Sequence, residues 1–407
     1  MLNYREKELM TAIRFVGKQN NRVGSHLRLK FDYWLALAVA GLLVVGMLMV
    51  YSTTFDYGVL FHEGDATFFF ERQLQALAIG LVAIFVIMQF DYHLLRRFSV
   101  PLLVGTLLLL VVTLFFGEAI FGARRGLSGG SYQPSEVAKL VTILYIAHWL
   151  STKGDRIRDL TYGLVPFSVI TGVVCALIVR QPDLSTAALI ALISYSLFFV
   201  AGADWRQLSV AGIIGLVAFV FLMLTLPHAR GRVDAYAAAL RDPSQASWHV
   251  QQSLIALANG RWFGVGLGES TQKFGPLPAA HTDSVFAVLG EEMGLLGCLL
   301  TIALFGILVW RGFRTARKAR DNYGSLLALG ITCWLSFQAL INIAVITAVV
   351  PFTGLPLPFL SYGGSSLAIS LVGVGILLNI SRDAAINTRI QGQRPPRART
   401  MPAGGPG

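Results

Sequence analysis

The stretch ALAVAGLLVVGMLMVY, Ala36 to Tyr51, decides the fold, and VPLLVGTLLLLVVTLFF, Val100 to Phe116, repeats its message. Neither run holds a charged side chain. Runs of this kind cross the hydrocarbon core of a bilayer once they reach about 17–25 residues. Lipid offers no hydrogen-bond partner to the backbone, so repeated long apolar runs require helices, whose N–H and C=O groups pair internally.

Outward from these two runs, spans are expected at roughly 32–53, 73–91, 98–116, 133–150, 160–179, 184–202, 206–226, 284–310, 324–349 and 359–380. The expected fold is all-α, a polytopic membrane protein of about ten transmembrane helices. Composition agrees: 55% of the 407 residues are hydrophobic and 14% charged, where a soluble domain carries about 25% charged residues. The mean hydropathy is +0.63. Glu136, Lys139 and His148 interrupt the fourth span.

The net charge of +11 sits in the loops, where it reads as topology rather than as a nucleic-acid footprint. Arg5, Lys7, Arg14, Lys18, Arg22, Arg28 and Lys30 precede the first span. Arg96 and Arg97 follow the second, Lys153, Arg156 and Arg158 the fourth, and Arg311, Arg314, Arg317, Lys318 and Arg320 the eighth. Ten spans put all of these on one side, with both termini in the cytoplasm. Residues 1–31 are then a basic cytoplasmic segment, 32–382 the membrane domain, and 383–407 a Pro-, Gly- and Arg-rich tail expected to be disordered. The loop at about 227–283 faces outward and should carry short amphipathic helices on the membrane surface. No cleavable leader is expected, because the first apolar run is long enough to stay in the membrane. Cys175, Cys298 and Cys333 lie in apolar stretches without metal or redox spacing and read as packing residues.

Ionisable residues at the outer ends of spans are costly and therefore candidates for function. Arg124 and Arg125 oppose the charge trend, and an anionic partner would explain them. Glu136 and Lys139, three apart on one helix face, read equally as an internal ion pair or a functional pair. Arg180 and Asp183 open the sixth span, where Asp183 suits a helix N-terminus. Lys273 and His281 precede Asp283, a carboxylate able to serve as an N-cap or as a general base. Pro351 to Ser366, with three prolines and three glycines at the mouth of an apolar span, implies broken helix geometry around a wet cavity.

The run Pro358-Phe359-Leu360-Ser361-Tyr362-Gly363-Gly364-Ser365-Ser366 resembles the signature of the SEDS family (shape, elongation, division and sporulation proteins). Asn342, Gln133 to Glu136, Gln181 to Asp183, and His281 to Asp283 followed by Phe286 to Glu292 match in family order, over roughly 32–382. Gly266 to Gly268 and Gln272 to Phe274 look more like the division branch, with the elongation branch as the alternative. The chain departs from the family pattern at Ala348 (usually Gly), Gly126 (commonly Trp) and Ser284 (usually Phe), and carries an extra residue before Leu277.

The resemblance implies a peptidoglycan glycosyltransferase that polymerises lipid II at the outer face of the cytoplasmic membrane. It implies Asp283 as general base. The pyrophosphate leaving group would be met by Arg124, Arg125, Lys139, Arg180 and Lys273. A divalent cation, Mg2+ or Mn2+, can share that role, although the sequence holds no dedicated metal cage. Glu136, Asp183, His281, Ser361 and Ser365 would line the cleft. Implied partners are lipid II, a class B penicillin-binding transpeptidase, other division proteins and membrane lipids. A lipid II flippase and a scaffold without chemistry are the competing readings.

Overall fold

The computed structural model describes residues 31–61, 64–120, 123–126, 132–242, 245–275 and 277–392, without the side chains of 60, 61, 118–126 and 386–392. The helices are α1 (Tyr33–Phe61), α2 (Phe68–Gln89), α3 (His93–Phe116), α4 (Pro134–Lys153), α5 (Val165–Arg180), α6 (Leu184–Val200), α7 (Trp205–Thr225), α8 (Pro227–Arg241), α9 (Trp248–Gly260), α10 (Val285–Lys318), α11 (Asn322–Ile346) and α12 (Gly364–Gly392). Between α3 and α4 a short antiparallel ribbon pairs β1 (Glu118–Ile120) with β2 (Ala123–Gly126), an element the apolar pattern does not announce. A π turn, Leu160–Leu164, leads into α5.

Each expected span coincides with a helix. Eight are long and apolar enough to cross a bilayer: α1, α2, α3, α5 with its π turn, α7, α10, α11 and α12. The other two are α6, apolar but only 17 residues long, and α4, whose 20 residues include the buried Glu136 and Lys139. The outer faces confirm lipid as solvent: Phe85 on α2, Phe115 on α3 and Ile213 on α7 are each more than 60% exposed. Such a surface in water would be a continuous sticky patch. α11 forms the centre, with Trp334, Leu335 and Ile331 fully buried against α4, α6, α10 and α12.

α2 and α12 pack closely because Gly80 leaves room; a methyl there would lie 2.3 Å from Leu371. Asn379 on α12 donates to the carbonyls of Ile87 and Phe90, at 2.6 and 2.7 Å, satisfying acceptors that the end of α2 leaves open. α12 runs past the expected membrane-domain limit at 382 to Gly392; the rest of the expected tail, and residues 1–30, lie outside the described residues.

Two ends of the bundle are distinct. At one, Arg311 Nε donates to both Asp32 oxygens, at 2.8 and 2.7 Å, and the Asp32 N–H donates to Ser381. Tyr92 donates to Asp321 at 2.5 Å, and His93 stands 3.5 Å from the same carboxylate. α1 therefore begins where α12 approaches its end, beside the basic residues that follow α10. Val285 lies toward the opposite end: from Leu295 to Arg311 alone α10 rises about 24 Å at the helical rise per residue, most of the thickness of the bilayer core.

Candidate functional site

The site assembles at the end opposite Asp32, where α10 starts. Asp283 is half-buried in the loop that enters α10. Its backbone carbonyl accepts from Asn342 Nδ2 at 2.8 Å, and the same amide group donates to the Leu355 carbonyl, also at 2.8 Å. One side chain on α11 thus ties the Asp283 segment to the irregular stretch between α11 and α12. That stretch approaches the carboxylate closely: a methyl on Gly354 would sit 3.2 Å from Asp283 Oδ2.

Backbone polar groups in the irregular stretch need partners that a helix would have supplied. Ser361 supplies two, accepting from the Leu357 N–H at 2.8 Å and donating to the Thr282 carbonyl at 2.6 Å. Gln73 on α2 supplies two more, donating to the Ser361 carbonyl and accepting from the Gly363 N–H. Tyr362 N–H donates to the His281 carbonyl at 2.8 Å. Ser365 accepts from the Gln133 N–H at 3.4 Å, which brings the start of α4 alongside. Ala348 has a φ of 58°, a conformation that favours glycine. This accounts for Gly at that place in the family pattern.

The His281 ring lies 5.0 Å from Tyr57 and 6.0 Å from Tyr362, and burial pushes its pKa down, favouring a neutral imidazole. Arg72, at the start of α2, lies beside the Tyr362 phenol and stands 4.4 Å from the Phe68 ring. Arg72 and Gln73 were not singled out in the sequence; they sit at the edge of a Phe-rich run, with no loop or motif to mark them.

Several expected site residues are engaged in contacts of their own. Lys139 is fully buried, its Nζ 2.9 Å from both Glu136 oxygens and 2.7 Å from Gln338 Oε1. It holds α4 to α11 and is not a surface cation for phosphate; Glu136 is its counter-ion and is itself buried. Lys273 is likewise committed: its Nζ donates to Glu292, to Ser52 and to the Gly268 carbonyl, and its side chain is 4% exposed. Asp183 accepts from the Thr186 N–H at 3.1 Å as the N-cap of α6. Arg180 is exposed at the end of α5, with no described contact to the Asp283 segment. The backbones of Arg124 and Arg125 lie on β2; their side chains are outside the described residues.

Among the described residues no three His, Cys, Asp or Glu come together as a metal site. Asp283, His281, Ser361 and Ser365 are brought together, joined by Asn342, Gly354, Arg72 and Gln73. The arrangement offers one half-buried carboxylate, the cation Arg72 and the rings of Tyr57, Phe69, His281 and Tyr362.

The profile of the cell cycle protein family that unites FtsW, RodA and SpoVE matches residues 33–386. A probable peptidoglycan glycosyltransferase FtsW of Trichlorobacter lovleyi is 41% identical, over 86% of this chain and 93% of that one. Stage V sporulation protein E of Bacillus subtilis is also 41% identical, over 86% and 97%. The rod shape determining protein RodA of Thermus thermophilus superposes with a TM-score of 0.65 at 29% identity, covering 88% of this chain and 98% of that one. A chain of a peptidoglycan synthase complex described as coordinating polymerisation and crosslinking reaches 0.69 at 30% identity, over 88% and 99%. With a single profile spanning the whole described bundle and relatives this similar from end to end, the chain belongs to the FtsW, RodA and SpoVE family of cell cycle proteins.

Proposed function

We propose that this chain is a peptidoglycan glycosyltransferase that polymerises lipid II at the outer face of the cytoplasmic membrane, in the division branch of its family. The observation that carries it is the placement of Asp283: a half-buried carboxylate at the bundle end opposite the basic residues, flush against Gly354. The 41% identity to a relative named FtsW supports the division branch, beside an equal 41% to stage V sporulation protein E.

In this reading the acceptor sugar's 4-hydroxyl attacks the donor's anomeric carbon. A new C–O bond forms there, the bond to the pyrophosphate oxygen breaks, and the polyprenyl pyrophosphate leaves with the bonding pair. Asp283 takes the hydroxyl proton. Arg72, beside Tyr362 of the signature loop, offsets charge building on the leaving group. The exposed Arg180 and the β2 arginines serve as further anion contacts. A divalent cation, Mg2+ or Mn2+, would arrive on the pyrophosphate oxygens, which bind hard cations, since the described residues form no cage for it. Crosslinking falls to a class B penicillin-binding transpeptidase docked on the same membrane protein.

The test is polymerisation of labelled lipid II by the purified chain with that transpeptidase. Asp283→Ala should lower polymer formation about 10²–10⁴-fold, the usual worth of a positioned base, while the variant still elutes as a folded protein. Full activity in Asp283→Ala, or lipid translocation without any glycan from the unaltered chain, rejects the reading.

A further inference from the structure

We propose that His249, on α9 of the extracytoplasmic loop, is a positioning residue for Asp283, acting through Ser284 and Phe352 on the two segments that bracket the carboxylate. The proposal rests on Asp283 as the general base. It begins at Ser284, which occupies the N-cap position of α10 yet makes no side-chain cap bond there. Serine is among the favoured caps, so its hydroxyl has been diverted. It donates to the Pro278 carbonyl at 2.9 Å and meets His249 Nε2 at 2.7 Å.

A hydroxyl carries one proton. With that proton on the Pro278 carbonyl, Ser284 Oγ is an acceptor toward the ring, and His249 must donate from Nε2. Burial, helped by the charge of Arg232, pushes the His249 pKa down to about 4, so the ring is a neutral donor at physiological pH.

The other face of the contact is Phe352. Its ring centroid lies 4.0 Å from that of His249, with Arg232 of α8 5.2 Å from it. Phe352 precedes by two residues the Gly354 that abuts Asp283 Oδ2, while Ser284 directly follows Asp283. One imidazole on α9 therefore touches both segments that bracket the carboxylate, Ser284 directly after it and Phe352 two residues before Gly354. Tyr236 of α8 fastens the same region by donating to the Val349 carbonyl at 2.6 Å. Where the family pattern has Phe after the aspartate, this chain has Ser284, and the histidine latch is what that change makes possible.

The experiment uses the full chain with its transpeptidase in lipid nanodiscs and labelled lipid II. His249→Phe keeps a ring against Phe352 but removes the donor. A misplacement near 1 Å costs on the order of 10²-fold, so kcat should fall by roughly 10- to 100-fold with KM unchanged. Ser284→Ala should match it, the double variant should be no worse, and His249→Gln, whose amide can donate, should recover most of the loss. Unchanged kcat in His249→Phe, or equal impairment in His249→Gln, overturns the proposal. A second measurement needs no turnover. With Cys175, Cys298 and Cys333 replaced by Ala, the alkylation rate of Asp283→Cys should shift with His249→Phe and return with His249→Gln. An unaltered chain that makes no polymer counts against the proposed activity; an alkylation rate indifferent to His249→Phe counts against the latch, whatever the polymer assay gives.

Discussion

Lys139 shows what a single residue can and cannot disclose. Its spacing from Glu136 makes an ion pair legible in the sequence, but the identity of the third partner, Gln338 on α11, depends on how distant helices pack. Once buried, the pair leaves little choice: a lone carboxylate at 2% exposure has no water to solvate it. Breaking a buried pair by removing one partner costs about 3–5 kcal/mol, whereas replacing both with apolar groups of similar volume is often neutral or better. Lys139→Ala should therefore lower the unfolding midpoint in detergent strongly, and the double variant Glu136→Leu with Lys139→Met should recover most of it. Equal stability of the single and double variants would mean that the carboxylate is not stranded. Lys273 is the less legible case. Its partners, Glu292 and Ser52, lie far off along the chain and no periodicity links them, so a cation that looks free in sequence is spoken for in space.

At the scale of elements, the apolar pattern places the spans well because lipid imposes it on every lipid-facing turn. It misses the break inside α10. Gly294 has φ 66° and ψ −167°, so the helix is interrupted one turn below the two buried glutamates. The groups this frees are taken up by the loop after α9: Val265 N–H donates to the Glu291 carbonyl, Gly266 N–H to that of Glu292, and the Leu295 and Leu296 N–H groups to Arg261 and Trp262. Glu291 completes the splint by accepting from Asn259, Ser270, Thr271 and the Gln272 N–H. Gly294 stands between Gly290 and Gly297 at helical spacing, which reads as a packing face and not as a break, while the proline-rich stretch before α12 does announce its own irregularity. Gly294→Ala would force a methyl to within 2.4 Å of the Gly264 nitrogen at a positive φ. It should cost at least about 1–3 kcal/mol and loosen protection of the 261–274 loop from limited proteolysis. Gly306→Ala, further down α10 with open space around it, should be tolerated. Similar melting and cleavage for the two variants would remove the splint from the account.

For the whole molecule, the decisive property is that Asp283 lies at the start of α10 and the basic run Arg311 to Arg320 at its end. The Asp32–Arg311 pair, the contact of Asp32 with Ser381, and Arg382 bonding the Met88 carbonyl gather the basic end around the start of α1 and the last turns of α12. Asp283, Gly354 and Ser361 gather at the other. Positive charge is retained on the cytoplasmic side during insertion, and the proposed orientation therefore puts the Asp283 end outside, where the proposed reaction needs its lipid-linked sugars. Cysteine labelling of intact spheroplasts, in a background with Cys175, Cys298 and Cys333 replaced by Ala, reads this directly. Glu269 and Arg317 are both exposed, on the loop near the site and at the basic end. A membrane-impermeant maleimide should label Glu269→Cys before lysis and Arg317→Cys only after it. The reverse pattern would put Asp283 on the side of nucleotide-linked precursors, and a polymerase drawing on lipid-linked sugars at the outer face would have its base in the wrong compartment.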